Sequence, residues 1–381
     1  RVLFARQGTQ PDGPHKGERG VSFRLAAPEE GEAREVAWLP VPRGMVRQLQ
    51  FLPDKESVFV HVTGALWRVD IPEGRRTLLR GNLPSYDGLF YPRLSPDGNW
   101  YVYGLLEPDK SGIYVLATAD GGERALAPNG RTWNFHPQFS PDGGHLAYYA
   151  APLKAGRSGR DACDYDIVPE EDGPAPVAAV VEIATPEGQK VATLTVPGMK
   201  ITGLRWSADG RYLAFAAGKI REEAGETGGT RGMDVMEWHS LWVSDLRGGL
   251  KKVADLEPTA GYVNVLSVGG DGTRVYYVTS NRDTRTLWLG REGSPPVEVL
   301  SASTAAGGSA TDVVPVYGED LLVSWRGPAG DEIFRLRGTQ AVPVTADGGA
   351  KAVLGMAQNR LVYLRHDRSD VRDRLVILAL E

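Results

Sequence analysis

The chain has 381 residues, 41% of them hydrophobic and 24% charged, with a formal net charge of −5. This globular balance leaves no basic footprint for nucleic acid and no polybasic patch for a membrane surface. The single cysteine, Cys163, excludes an internal disulfide and a cysteine-rich metal site, and no apolar run reaches the length of a membrane span. Glycine (47) and proline (26) punctuate short apolar runs, which predicts an all-β chain with many turns. Because the numbering opens at Arg1 without Met, a signal peptide or lipid tether is expected to precede it, with a periplasmic or extracellular location.

In chain order, "RVLFARQG", "VSFRLAAPEEGE" and "AREVAWLP" predict strands B, C and D of a unit lacking strand A. A repeated turn follows: Asp54 in "FLPDKESVFVHV", Asp97 in "LSPDGNWYVYG", Asp142 in "FSPDGGHLAYY", Asp209 in "WSADGRYLAFAAG" and Asp271 in "VGGDGTRVYYV". The spacings are 43, 45, 67 and 62 residues, so two intervals lie near one period and two carry insertions. After each turn and its strand comes a second apolar strand: "ALWRVDIPEG", "GIYVLATADGG", "SLWVSDLRGG", "TLWLGREGS", and later "EIFRLRG". A fourth short strand closes the unit, as in "RRTLLRG", "ERALAP", "KKVADL", "VEVLS" and "AVPVTAD". Four strands per unit, repeated, is the pattern of propeller blades. Asp-Gly makes the tight A–B hairpin, Gly supplying positive φ and Asp bonding its own backbone, so these aspartates are scaffold. The chain ends on "AKAVLGMAQ", "NRLVYLRHD" and "DRLVILALE", strands A, B and C of a unit lacking D. Eight partial or complete blades are expected in one domain over 1–381. A seven-bladed ring, with the first strand closing the last blade, is the alternative.

The motif [FW]-S-[PA]-D-G before an aromatic-rich strand stands in Phe139–Gly143 and Trp206–Gly210, with Leu94 replacing the aromatic in the turn at Asp97. It is degraded around Asp271 and missing after residue 304. The pattern resembles the WD-like repeats of TolB-type propellers, and the non-catalytic propeller domains of dipeptidyl-peptidase and prolyl-oligopeptidase-type enzymes. The resemblance covers roughly residues 44–300. It implies the fold and says little of function, since such propellers serve as partner platforms, gates and enzymes.

In a propeller, D–A connections and B–C loops emerge on one face and A–B and C–D turns on the other. The insertions near 152–176 and 219–240 both fall between strands B and C, so they are expected side by side on that first face. Tyr86, Asp87, Tyr91, Trp133, Asn134, His136, Tyr262 and Asn264 reach it through the D–A segments, and His239 through the second insertion. These nine are the candidate ligand-binding residues at the channel mouth, because function concentrates on enlarged loops of a rigid scaffold. The alternative role for Trp133 and Phe135 is packing between blades. In "RDACDYDIVPEED", six carboxylates from Asp161 to Asp172 make a Ca²⁺ site conceivable. The spacing matches no calcium loop and lacks the Gly of the sharp bend, so a solvated acidic loop is the simpler reading, and no other cofactor is expected.

The six histidines form no H-x-x-x-H or H-x-H pair, and the chain has neither a G-x-S-x-G elbow nor a phosphate-binding loop. No catalytic residue and no metal ligand is therefore nominated. The leading reading is a non-enzymatic exported propeller that binds a protein or peptide partner, or a glycan, without nucleic acid or a transmembrane segment. Two alternatives are a lyase or hydrolase acting on a saccharide at the channel mouth, and the gating domain of a larger peptidase or amidohydrolase.

Overall fold

The computed structural model describes residues 2–9, 16–26, 34–40, 46–54, 56–62, 64–71, 73–81, 83, 89–105, 112–126, 132–152, 180–222, 234–256, 262–281, 284–303, 313–315, 321–327, 330–346, 350–357, 360–366 and 373–379. All regular structure in them is β-strand. The chain divides into two compact units, residues 1–164 with 182–190, and residues 165–181 with 191–381.

The first sheet holds β1 (Val2–Thr9), β2 (Arg19–Ala26) and β3 (Arg34–Pro40). Next come β4 (Val46–Phe51), β5 (Ser57–Val62), β6 (Ala65–Asp70) and β7 (Arg76–Arg80), then β8 (Leu89–Leu94), β9 (Trp100–Leu105), β10 (Gly112–Ala117) and β11 (Glu123–Leu126). A fourth sheet contains β12 (Thr132–Phe139), β13 (Leu146–Pro152), β14 (Val180–Ala184) and β15 (Lys190–Leu194). The fifth contains β16 (Lys200–Trp206), β17 (Leu213–Glu222), β18 (Asp234–Ser244) and β19 (Leu250–Asp255). The sixth has β20 (Tyr262–Val268), β21 (Arg274–Ser280), β22 (Thr284–Arg291) and β23 (Ser294–Ser303), and the seventh β24 (Val313–Pro315), β25 (Leu321–Gly327), β26 (Gly330–Arg337) and β27 (Gln340–Pro343). The last holds β28 (Ala350–Ala357), β29 (Arg360–His366) and β30 (Asp373–Ala379). Every sheet is an antiparallel meander in chain order, with three strands in the first and last and four in the others.

Burial follows strand position. β5 is buried at all six residues, because a B strand is covered on both faces, whereas β7 is exposed along most of its length. Charged Arg76 and Arg80 on that edge strand discourage pairing with another chain. Within each unit, cores lie between consecutive sheets. In the first unit, Leu52, Phe59 and Leu66 pack with Leu94, Tyr101, Tyr103 and Leu116. In the second, Ala214, Ala216, Leu241 and Val253 pack with Val263, Val265, Val275 and Tyr277. The alanines of β17 let the next sheet approach, and each large side chain buried this way is worth about 1.5–3 kcal/mol. His61, buried on β5, places Nδ1 2.9 Å from the Tyr101 hydroxyl.

The repeated turns are self-contained. Ser95 Oγ donates to Asp97 Oδ1 at 2.5 Å and accepts from the Trp100 amide at 2.9 Å. Ser140 does the same with Asp142 and the His145 amide, and Ser207 with Asp209 and the Tyr212 amide. The glycines take positive φ, 74° at Gly98, 76° at Gly143 and 70° at Gly210. A Cβ at Gly98 would meet Pro53 of the preceding turn at 2.7 Å, so successive turns also need Gly for contact.

Candidate functional site

In an antiparallel meander the A–B and C–D turns leave one edge of each sheet, and the B–C and D–A connections leave the other. On the A–B edge the carboxylates are committed to their turns. Burial alone would raise the Asp142 and Asp209 carboxyls, but hydrogen bonds from Ser140 and from Ser207 and Arg211 outweigh it and hold both below the ordinary carboxylate range. Asp271 is lowered chiefly by the amide and hydroxyl of Thr273. These groups accept bonds they already have, so this edge offers little to a ligand.

The B–C and D–A edge differs. In the first unit, Tyr91 lies on β8, and Trp133, Asn134 and His136 lie on β12, so these D–A candidates sit within A strands. β12 runs through Pro137 because its register shifts between Phe135 and Gln138; the bulge spares the ladder bond that Pro cannot make. Inside that bulge His136 adopts φ 53°, which non-glycine residues seldom take. Its ring packs 5.8 Å from that of Tyr149, with Nδ1 3.2 Å from Gln138 Nε2. Asn134 is 1% exposed, and neither Nδ2 nor Oδ1 has a hydrogen-bond partner among the described residues. Tyr86 and Asp87 lie outside the described residues.

In the second unit, Tyr262 and Asn264 lie on β20, Asn264 exposed. The described parts of the segment 219–240 continue the ladder, with Lys219 opposite Glu237 and Glu222 opposite Asp234, and residues 223–233 lie outside the described residues. His239 occupies a bulge where the register shifts between Ala217 and Gly218. Its carbonyl accepts from the Leu256 amide at 2.9 Å, and its Nε2 is buried with no hydrogen-bond partner among the described residues.

The same edge of the second unit carries a feature that sequence reasoning did not nominate. An open groove of about 570 Å³ is lined by Val180, the D–A connection Thr195–Lys200, and Lys219. The connection is pinned by one turn bond, Met199 N to Val196 O at 3.0 Å, with Gly198 at φ 69°. "VPGMK" advertises a turn through its Pro-Gly pair, but only the β16–β17 register, Lys200 opposite Gly218, brings Lys219 to the same place.

Among the described residues no group of three His, Cys, Asp or Glu side chains is placed to hold a metal ion, and the acidic stretch 161–172 lies outside them. No helix there is long and apolar enough to cross a membrane.

No family model matches the chain, and no curated protein matches it in sequence. Solved structures do match. The C-terminal WD40 domain of Sif2 aligns with a TM-score of 0.52 at 10% identity, over 95% of this chain and 90% of that one. Dihydro-heme d1 dehydrogenase NirN aligns with a TM-score of 0.55 at 13% identity, over 94% and 68%. Prolyl oligopeptidase B from Galerina marginata, bound to a 35mer substrate, gives 0.52 at 15% identity, over 84% of this chain and 47% of the enzyme. At these identities the likeness is one of fold. The chain is a β-propeller with four-stranded antiparallel blades, resembling WD40 propellers and the propeller domains of peptidases.

Proposed function

We propose that this chain is a non-enzymatic binding module, TolB-like in role, that holds a protein or peptide partner outside the cytoplasm. Contact is made through the edge where the D–A and B–C segments emerge. The observation that carries this reading is the contrast between the two edges. One edge spends its carboxylates on its own turns, while the other carries the groove at Thr195–Lys200. A photo-crosslinking amino acid at Met199 or Lys219 should trap a partner, and the same group at Asn99 or Arg211, in A–B turns, should not. Crosslinks from the A–B positions alone, or from none, would overturn the reading.

A second reading has its own support: the chain matches about half of a prolyl oligopeptidase, which fits a gating propeller. It requires that the full gene encode a hydrolase segment with a G-x-S-x-G elbow. Sequencing the complete reading frame decides between the two.

A further inference from the structure

The groove of the second unit has a lining that restricts what it can hold. Val180, Val196, Pro197 and Met199 form apolar walls, and Lys200 and Lys219 supply two ammonium groups. Neither lysine has an ion-pair or hydrogen-bond partner among the described residues. Glu237 stands opposite Lys219 in the β17–β18 ladder. Some other lysines do find carboxylates: Lys190 pairs with Glu182 at 2.9 Å, and Lys252 with Asp255 at 2.8 Å. The groove therefore sets two ammonium groups, unpaired among the described residues, beside apolar walls.

We infer that the groove binds an extended peptide segment in which acidic and apolar side chains alternate. The inference rests on the binding reading above and adds the chemistry of the partner. In an extended chain successive side chains point to opposite sides. Apolar residues would then lie against Val180, Val196, Pro197 and Met199, while carboxylates on the other side meet the ammonium groups of Lys200 and Lys219. A volume of about 570 Å³ falls within the range of small-ligand pockets, so it takes a few residues of such a segment and not a folded surface. Among the described residues no arginine lines the groove, so they offer no planar fork to suit a phosphate, whereas a lysine serves a carboxylate as a point charge.

The test is fluorescence anisotropy of the intact chain with a fluorescein-labelled Glu-Val-Glu-Val-Glu peptide at low and high salt. Saturable binding is expected, weakened about tenfold by the K200E/K219E pair and by replacing the peptide's Glu with Gln. E237Q, which removes the negative charge opposite Lys219 in the ladder, should tighten it. M199D, an independent change in the apolar wall, should weaken it while the thermal midpoint stays within a degree or two. Equal affinity for the Gln peptide, or unchanged binding by K200E/K219E, would overturn the inference, as would a preference for anionic vesicles over the peptide. In those cases crosslinking at Met199 would still report separately on whether this edge binds any partner.

Discussion

Strands β12 and β16 hold the same place in two successive repeats, each leading into a Ser-x-Asp-Gly turn, and they solve the same problem differently. Eight residues before the turn aspartate, β16 has Ile201, fully buried, and β20 has Val263, 2% exposed; β12 has Asn134. Six residues before it, β16 has Gly203 at φ 67° and β12 has His136 at φ 53°. Both strands are bulged there, between Thr202 and Arg205 and between Phe135 and Gln138. β16 uses the residues the fold favours: an aliphatic side chain in the core and glycine at positive φ. β12 instead carries a buried amide without partners among the described residues and a histidine at positive φ. Two local rules are thus broken within three residues of β12 and kept in β16.

The largest effect should come from imposing the β12 choice on β16. Ile201→Asn removes a buried aliphatic group and leaves an unpaired amide in its place, which should cost about 3–5 kcal/mol. A lowered denaturant midpoint at unchanged slope would show it. A loss under about 1 kcal/mol would mean that this position tolerates polar groups generally, and the contrast between the strands would dissolve.

The reverse exchange comes next. Asn134→Ile should stabilise the protein by about 1–3 kcal/mol by removing two unsatisfied polar atoms. If it destabilises instead, the amide has a partner in solution, such as an ordered water, and Asn134 is structural. Binding measured on the stabilised variant separates the two roles.

What could be read beforehand, and what could not, follows the same division. Strand order and turn positions were legible because each signal is local: Asp142-Gly143 announces a hairpin wherever it occurs, and "SLWVSD" is an apolar run between turns. The sequence places Asn134 and His136 on a D–A segment at a channel mouth, whereas both lie in β12, and the bulge that carries that strand through Pro137 leaves no local trace. The groove was illegible for a different reason. Val180, Met199 and Lys219 are about twenty residues apart in turn and form no motif, and only ladder register assembles them.

His136→Gly should matter less than the Asn134 change. Relief of positive φ is worth about 1 kcal/mol, partly offset by losing the contacts with Tyr149 and Gln138. A small rise in thermal midpoint is expected, and a clear fall would mean that the ring packing outweighs the strain.

The smallest effect concerns the turns that β12 and β16 share, and it tests whether the strands differ only at Asn134 and His136. Asp142 and Asp209 both sit below the ordinary carboxylate value of 3.8 in the folded chain, since hydrogen bonds more than offset partial burial. A carboxyl lowered on folding contributes stability that is fully present above its unfolded value and is lost as pH falls through its folded one. The stability supplied by these turns should therefore be flat from neutral pH to about 4 and decline below it. Both carboxylates are exposed, so screening keeps each contribution under about 1 kcal/mol. Asp209→Asn and Asp142→Asn should shallow that acid decline by similar amounts. Equal shallowing would place the difference between the two repeats in Asn134 and His136 alone; a larger effect at Asp209, which also pairs with Arg211 at 2.6 Å, would assign part of it to that ion pair.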